Sequence, residues 1–327
     1  MDTNYQKELM SFLENEGMAP VTVPKRNYWF LRTQGGDYFE EFFFNGYVAI
    51  GWNDVPCIAP IDRTDEAIGP IKDIYDRNAT RALNNVYKFC KEMKKGDIVV
   101  IPSTKSANFA FGELTEDSYY EENVSDPEAL DDGVCPYIKR RAIKWMASAN
   151  KALVDSKLYL FFRNQQALSN ANEYKEYIER AINPFYILDG VAHFNIAIQT
   201  QKPIPGIYIP SLIFGLLERT ANNINSNIRE LSNKVNTKIN VQSPGIVEFF
   251  GDPTAVLMIA TIGIILFGGK LKISHTKGKT EGEMSTEGLS GLILKLSGKN
   301  KKSTVVDDST LKEIESDLDI KLPKKID

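Results

Sequence analysis

Histidine and cysteine are scarce in this chain of 327 residues, which has two histidines (His193, His275) and three cysteines (Cys57, Cys90, Cys135). The cysteines are far apart in sequence, odd in number and without CxxC spacing. That excludes a disulfide-stapled scaffold and a Cys/His zinc site, and it reads as a set of reduced thiols. The nucleophile, phosphate-loop and metalloprotease signatures GxSxG, GxxxxGK[ST] and HExxH are missing. A restriction-type nuclease pattern, Asp followed by Glu/Gln-x-Lys, fails too: after Asp189 the nearest string is Gln199-Thr200-Gln201-Lys202, with Thr200 in the wrong place. Basic residues are not in excess. A net charge of −4 and a pI near 5.5 exclude a surface that is basic all over, so any nucleic-acid contact must come from a local patch. The first 25 residues hold no apolar run, so no secretory leader is expected. No repeat of fixed period is present.

What remains is ordinary globular composition, 43% hydrophobic and 25% charged, at a length that suggests two or three domains. Residues 4–16 have helical spacing, and Pro20 and Pro24 punctuate a linker. Tyr28-Trp29-Phe30-Leu31-Arg32-Thr33 is a dense aromatic strand, Asp37 to Phe44 a short helix, and Gly46 to Trp52 a second strand. Residues 53–77 read as loop. A helix is expected from about Ala79 to Lys94, stopped by Gly96. Strands follow at Asp97–Pro102, Phe109–Leu114 and Tyr137–Met146. The segment 111–132, with nine acidic residues and no basic one, reads as a solvated loop. Residues 150–184 are helical in texture, His193–Thr200 a strand, and Ser211–Val235 one helix. Two strands flank Ser243-Pro244-Gly245. Between Asp252 and Lys270 stand 17 uncharged, mostly aliphatic residues, followed by a Lys- and Gly-rich stretch, a short acidic helix and a polar tail.

Several of these segments form an ordered set. Tyr28 to Thr33 is similar to the opening strand of EVE domains, a branch of the PUA-like fold, with Arg32 and Thr33 in the places of a basic residue and a hydroxyl. Met93-Lys94-Lys95-Gly96-Asp97-Ile98-Val99-Val100 resembles that family's helix-end and strand signature, and Phe111-Gly112-Glu113-Leu114 its return strand. Gly46 to Trp52, with Arg141-x-x-x-Trp145, resembles the N-terminal module of bacterial restriction-system (Mrr-type) proteins. The chain departs from the pattern at Pro102-Ser103-Thr104 and at Gln34-Gly35, beside the place of the family's ligand pocket. The resemblance implies a small bent β-barrel with helices packed outside and a pocket for a modified or flipped-out base. Such a base needs flat faces to stack on and donors or acceptors for its polar edge. Trp29, Arg32, Thr33, Trp52 and Thr104 are the candidates. Lys139, Arg140, Arg141 and Lys144, with lysines 88, 91, 94 and 95, are candidates for phosphate contact; an ordinary solvated face is the alternative.

The apolar run 253–269 would rise about 25 Å as a helix, short of a ~30 Å hydrocarbon core. It can be a helix buried in its own domain or at a homo-oligomer interface, or a membrane-contacting segment. These observations lead us to expect an α+β protein divided into an N-terminal helix and linker (1–26), a PUA/EVE-like ligand-reading domain (27–185), an α+β domain with the apolar helix (186–300) and a polar tail (301–327). The expected role is non-catalytic recognition of a modified nucleic-acid base or nucleotide-like ligand in bacterial defence or restriction. No catalytic residue, metal or cofactor is expected, and the expected place is the cytoplasm, with inner-membrane association left open. The alternatives are a membrane-associated effector whose barrel senses a small ligand, and a scaffold subunit.

Overall fold

A computed structural model describes residues 3–124, 134–151, 154–155, 157–158, 166–224, 226–240, 244–267 and 305–322. The chain forms two units, Lys25–Ile182 and a discontinuous one made of Met1–Pro24 with Asn183–Asp327. The architecture is mixed α and β, as expected. Helix α1 (Thr3–Asn15) and strand β1 (Val21–Thr22) come first and belong to the discontinuous unit.

The unit 25–182 is built from β2 (Tyr28–Leu31), α2 (Phe39–Asn45), β3 (Tyr47–Ile50), α3 (Asp65–Tyr75), α4 (Ala79–Tyr87), β4 (Ile98–Pro102), β5 (Asn108–Leu114), β6 (Tyr120–Glu121), β7 (Lys139–Asn150), β8 (Leu168–Asn170) and α5 (Lys175–Ile182). Its sheet runs β3-β7-β5-β4-β2-β8, with β6 also on β7; β2 and β4 are parallel and the other pairs antiparallel. The first half of β7 pairs with β3 and β6 and the rest with β5, which curls the sheet into a half-barrel. A bulge marks the bend. Phe111 faces Ala147 while Gly112 faces Trp145, leaving Met146 extra. A Cβ at Gly112 would come within 2.7 Å of Ile143 and Trp145, so only glycine lets β7 fold over here.

Both faces of β2 and β4 are covered, which explains their unbroken apolar sequences. Trp29, Leu31, Val99 and Ile101 pack with the α4 residues Leu83 and Val86, whereas Tyr28, Phe30, Ile98 and Val100 pack with Ile178 and Ile182 of α5. Two local features differ from the sequence reading. Helix α3 lies where 53–77 reads as loop: Gly69-Pro70 looks like a turn signal, yet Thr64 caps the helix by accepting from Ala67 N at 3.2 Å. Helix α4 passes into a π-helical turn, Lys88–Glu92, and ends where Met93 turns extended, before the expected stop at Gly96.

The discontinuous unit continues with β9 (Phe185–Leu188), β10 (Val191–Ile198), α6 (Tyr208–Asn223), α7 (Ile228–Ser232), β11 (Val235–Asn240), β12 (Gly245–Gly251), α8 (Pro253–Phe267), α9 (Asp308–Leu318) and β13 (Ile320–Lys321). Its sheet runs β1-β9-β10-β12-β11, with β13 also on β10. The single helix expected over 211–235 is instead α6 and α7, because Asn227 caps a new helix by accepting from Glu230 N at 2.9 Å. The apolar run forms α8, and residues 268–269 of the expected helix lie outside the described residues. Every residue from Ala255 to Ile264 is buried, covered by α1, α6, α9, β10 and β12 of the same unit. The Thr261 hydroxyl is satisfied by donating to the Leu257 carbonyl at 2.9 Å. Each buried Val, Leu, Ile or Met of this helix contributes about 1.5–3 kcal/mol. Among the described residues no helix is long and apolar enough to cross a membrane.

Two expected boundaries shift for the same reason. The segment 301–327, expected as a polar tail, contains α9, whose Leu311, Ile314 and Leu318 enter the core beside α8. The N-terminal helix, expected as a separate element, places Leu9, Phe12 and Leu13 in that core too. His193 is a structural histidine: its Nδ1 lies 2.8 Å from Glu248 Oε1, and its ring stacks on Tyr186 at 4.6 Å.

Candidate functional site

The open side of the curled sheet in the unit 25–182 holds a cavity of about 780 Å3, within the range of small-molecule sites. Its floor is apolar, from Leu31, Ala49 and Ile50. Three aromatic side chains line it, Trp52, Tyr75 and Tyr137, with the carboxamides Gln34 and Asn78 and the guanidinium groups of Arg32 and Arg81. No aspartate or glutamate is among the described residues of the wall.

Local backbone chemistry sets this wall. Gln34 and Trp52 both adopt left-handed conformations, with φ of 51° and 63°, which non-glycine residues hold only where their surroundings enforce it. For Trp52 the enforcement is visible. Lys139 at the start of β7 donates from Nζ to the carbonyls of Trp52 at 3.2 Å and Asn53 at 2.6 Å. Asn53 bridges back, donating to Pro136 O and accepting from Ile138 N. The Tyr137 ring lies over Gly51, where a Cβ would meet it at 3.3 Å, and its hydroxyl donates to Gln34 Oε1 at 3.4 Å. On the other side, Gly36, at φ 113°, sits so close to Thr104 that a Cβ would reach its backbone N at 2.2 Å. Burial pushes the Tyr137 phenol up to about 12, helped by Tyr38 and Cys135, and raises Tyr75 as well, with Asp54 adding to the effect. Both phenols are therefore neutral donors at pH 7. Asn78 and Arg81 stand at the N-terminal end of α4, whose dipole adds positive potential to that part of the wall.

Of the five ligand-site candidates, Arg32 and Trp52 line the cavity and the other three do not. Trp29 is a core residue whose Nε1 donates to Asp97 Oδ2 at 2.8 Å. That buried carboxylate also accepts from the backbone N of Asn27 and of Lys94, tying the β2 and β4 entries together. Thr33 is buried, with its hydroxyl donating to Pro102 O at 2.6 Å. Thr104 is exposed and packs against Gly36.

The four basic candidates of β7 do not share a face, because strand residues alternate. Lys139 and Arg141 point inward, and Arg140 and Lys144 point to the other side. Arg141, with 0% exposure, donates from Nη1 to Phe89 O at 3.0 Å and from Nη2 to Glu116 O at 2.8 Å and Asp117 O at 3.0 Å. Burial holds both the Lys139 and the Arg141 pKa below their ordinary values. Arg140 lies 4.3 Å over the Tyr47 ring and donates to the carbonyls of Tyr137 and Cys135. Only Lys144 is exposed. Lys139 and Arg140 hold backbone beside the cavity, Arg141 holds backbone away from it, and the four do not form one phosphate-facing stripe.

Sequence reasoning missed Gln34, Tyr75, Asn78, Arg81 and Tyr137. Gln34-Gly35-Gly36 carried a signal, a side chain beside two glycines in a tight turn. Tyr75, Asn78 and Arg81 carried none, since they reach the wall only through the placement of α3 and α4. The fold also brings Cys57 near Cys90, although 33 positions separate them in sequence, and Cys57 helps burial raise the Cys90 thiol.

A protein-family model described as a domain of unknown function (DUF8426) matches residues 29–161, within the unit that holds the cavity. No curated protein and no solved structure matches the chain.

Proposed function

We propose that the unit 25–182 is a recognition module that binds a base-like aromatic ligand, a modified nucleic-acid base or a nucleotide, in this cavity, and that the chain acts as a reader in bacterial defence or restriction. The cavity wall carries the reading. Trp52, Tyr75 and Tyr137 offer flat faces, and Gln34 and Asn78 offer paired donors and acceptors for the edge of a base. The aromatic side chains would discriminate little between bases, and the carboxamides and phenols would supply the choice. The setting in defence rests on the likeness of residues 27–147 to EVE and restriction-system modules, and the PUA-like assignment of the curled sheet rests on the same likeness. Lys139 acts in this reading as a positioning residue, through the Trp52 and Asn53 carbonyls.

Mass spectrometry of small molecules and nucleic acid released from the purified full chain tests the proposal. The expected result is a nucleotide or nucleic-acid fragment from the unaltered protein and its loss from Trp52→Ala, with an unchanged circular dichroism spectrum. Removing one stacking face should weaken binding by about 5- to 150-fold, from ~1–3 kcal/mol per stacked base. Equal recovery from both proteins would overturn the reading.

A further inference from the structure

Three cations fasten the segments that carry Cys57 and Cys90. Arg63 donates from Nη2 to the carbonyl of Ile58, next to Cys57, at 3.4 Å and to that of Leu83 in α4 at 3.3 Å, and from Nη1 to Asn84 Oδ1 at 2.6 Å. Lys139 holds the Trp52 and Asn53 carbonyls from β7, and Arg141, on the same face of that strand, holds the carbonyl of Phe89, next to Cys90. Both cysteines pack into one apolar cluster with Val55, Val86 and Phe89. The Cys90 thiol registers the result: burial raises it, Cys57 adds to the rise, and Lys139 and Arg141 oppose it.

The two thiols differ in access. Cys57 is half-buried, whereas Cys90 is 4% exposed and sits in the π-helical turn, a distortion often found at functional positions. Cys135 stands apart. Arg140, on the other side of β7, holds its carbonyl, and neither of the other cysteines is among the groups that shift its thiol.

We propose that Cys57 and Cys90 are a reversible redox pair that closes to a disulfide when the chain meets hydrogen peroxide. The more accessible Cys57 reacts first. Its thiolate attacks one peroxide oxygen, the O–O bond breaks, and the departing hydroxide takes up the proton that the thiol gave up. Cys57 is left as a sulfenic acid. The Cys90 sulfur then attacks the Cys57 sulfur, the S–O bond breaks, and the hydroxyl leaves as water with the Cys90 proton. The thiols together lose two electrons, and the peroxide gains them. Lys139 and Arg141 favour the Cys90 thiolate that this second step uses. A small dithiol reductant restores both thiols by exchange. The bond would fasten the segment that follows Trp52 to the end of α4, the helix whose start lies on the cavity wall.

The test treats the freshly reduced full chain with hydrogen peroxide under native conditions. An acid quench and mass spectrometry of the intact chain and its peptides follow. The expected product is lighter by two hydrogen atoms, has the Cys57 and Cys90 peptides joined, keeps Cys135 free for a maleimide added after unfolding, and reverts fully with dithiothreitol. Cys90→Ser should stop at a Cys57 sulfenic acid that dimedone traps. Cys57→Ser should keep Cys90 a free thiol at the peroxide concentration that converts the unaltered chain. Should either variant fail to fold, the peptide map of the unaltered chain decides alone. Cys135 joined as often as Cys90, a disulfide that forms only in urea, or one that links two chains would overturn the pairing. Oxidation of Cys57 to the sulfinic acid with Cys90 left free would overturn it as well, and so would the persistence of all three thiols.

Discussion

In the unit 25–182 the largest fully buried side chain is Arg141, and a buried lysine, Lys139, lies two residues before it on the same strand. In the discontinuous unit the corresponding interior is α8, fifteen residues without a charge. The partners differ as much as the residues. Lys139 and Arg141 reach five backbone carbonyls, those of Trp52 and Asn53 beside the open cavity and those of Phe89, Glu116 and Asp117 away from it, so their burial fixes backbone positions. The side chains of α8 meet other apolar side chains from four further elements of one sheet-and-helix core and α1, so their burial fixes packing. Lys139, which holds the Trp52 carbonyl, belongs to the surroundings of the site, whereas Arg141 belongs to the frame behind it. The buried helix α8 belongs to stability.

The sharpest way to break this comparison is Ile262→Asp. An unpaired carboxylate inside α8 should cost about 4 kcal/mol or more. Hydrogen exchange on the full chain should show lost protection in α8, β10 and β12 and retained protection in β4 and β5. Equal loss in β4 and β5 would mean that the two interiors are one cooperative structure.

A smaller effect is expected from Arg141→Met. Three carbonyls lose a charged donor, while the apolar stem keeps most of its volume, so stability should fall by about 2–4 kcal/mol in urea titrations. Unchanged stability would show that the guanidinium is not the fastener inferred here.

The mildest test uses pH. Burial pushes the thiols of Cys90 and Cys135 up from 9.0 to about 12; at Cys90 the adjacent Cys57 adds to this, and at Cys135 Glu41 does. Both are raised, so the unfolded chain releases these protons first as pH climbs. Their contribution is whole below pH 9 and is lost between about 9 and 12, by ~1.4 kcal/mol per pH unit for each thiol. Urea midpoints measured from pH 8 to 10 should fall, and Cys135→Ala should fall less steeply. Identical slopes would remove Cys135 from the account.

Sequence reading reached the strands of the curled sheet because Tyr28–Leu31, Tyr47–Ile50 and Ile98–Pro102 are continuous apolar runs, buried on both faces. It reached Arg32 and Trp52 because each stands at the end of such a run, where the strand opens to solvent. It misjudged Trp29, whose indole looks the same in sequence whether its partner is a ligand or Asp97. It grouped Lys139, Arg140, Arg141 and Lys144 by proximity along the chain, whereas a strand separates neighbours onto opposite faces. Cavity residues from α3 and α4 were out of reach, since helix placement is tertiary. The short acidic helix α9 was expected, but its acidic neighbours hid the apolar face Leu311, Ile314 and Leu318 that carries it into the core.

The cover of α8 also has an order in time. The unit 25–182 is continuous, so all of its partners have been synthesised once Ile182 is made. Helix α8 draws on α1, made at the start, and on α9, made only after Asp308. At 5–20 residues per second, the ribosome takes about 2–8 s to pass from Phe267 to Asp308. Through those seconds α8 lacks the part of its cover that α9 supplies. A chain ended in that interval would leave α8 without the cover that Leu311, Ile314 and Leu318 supply.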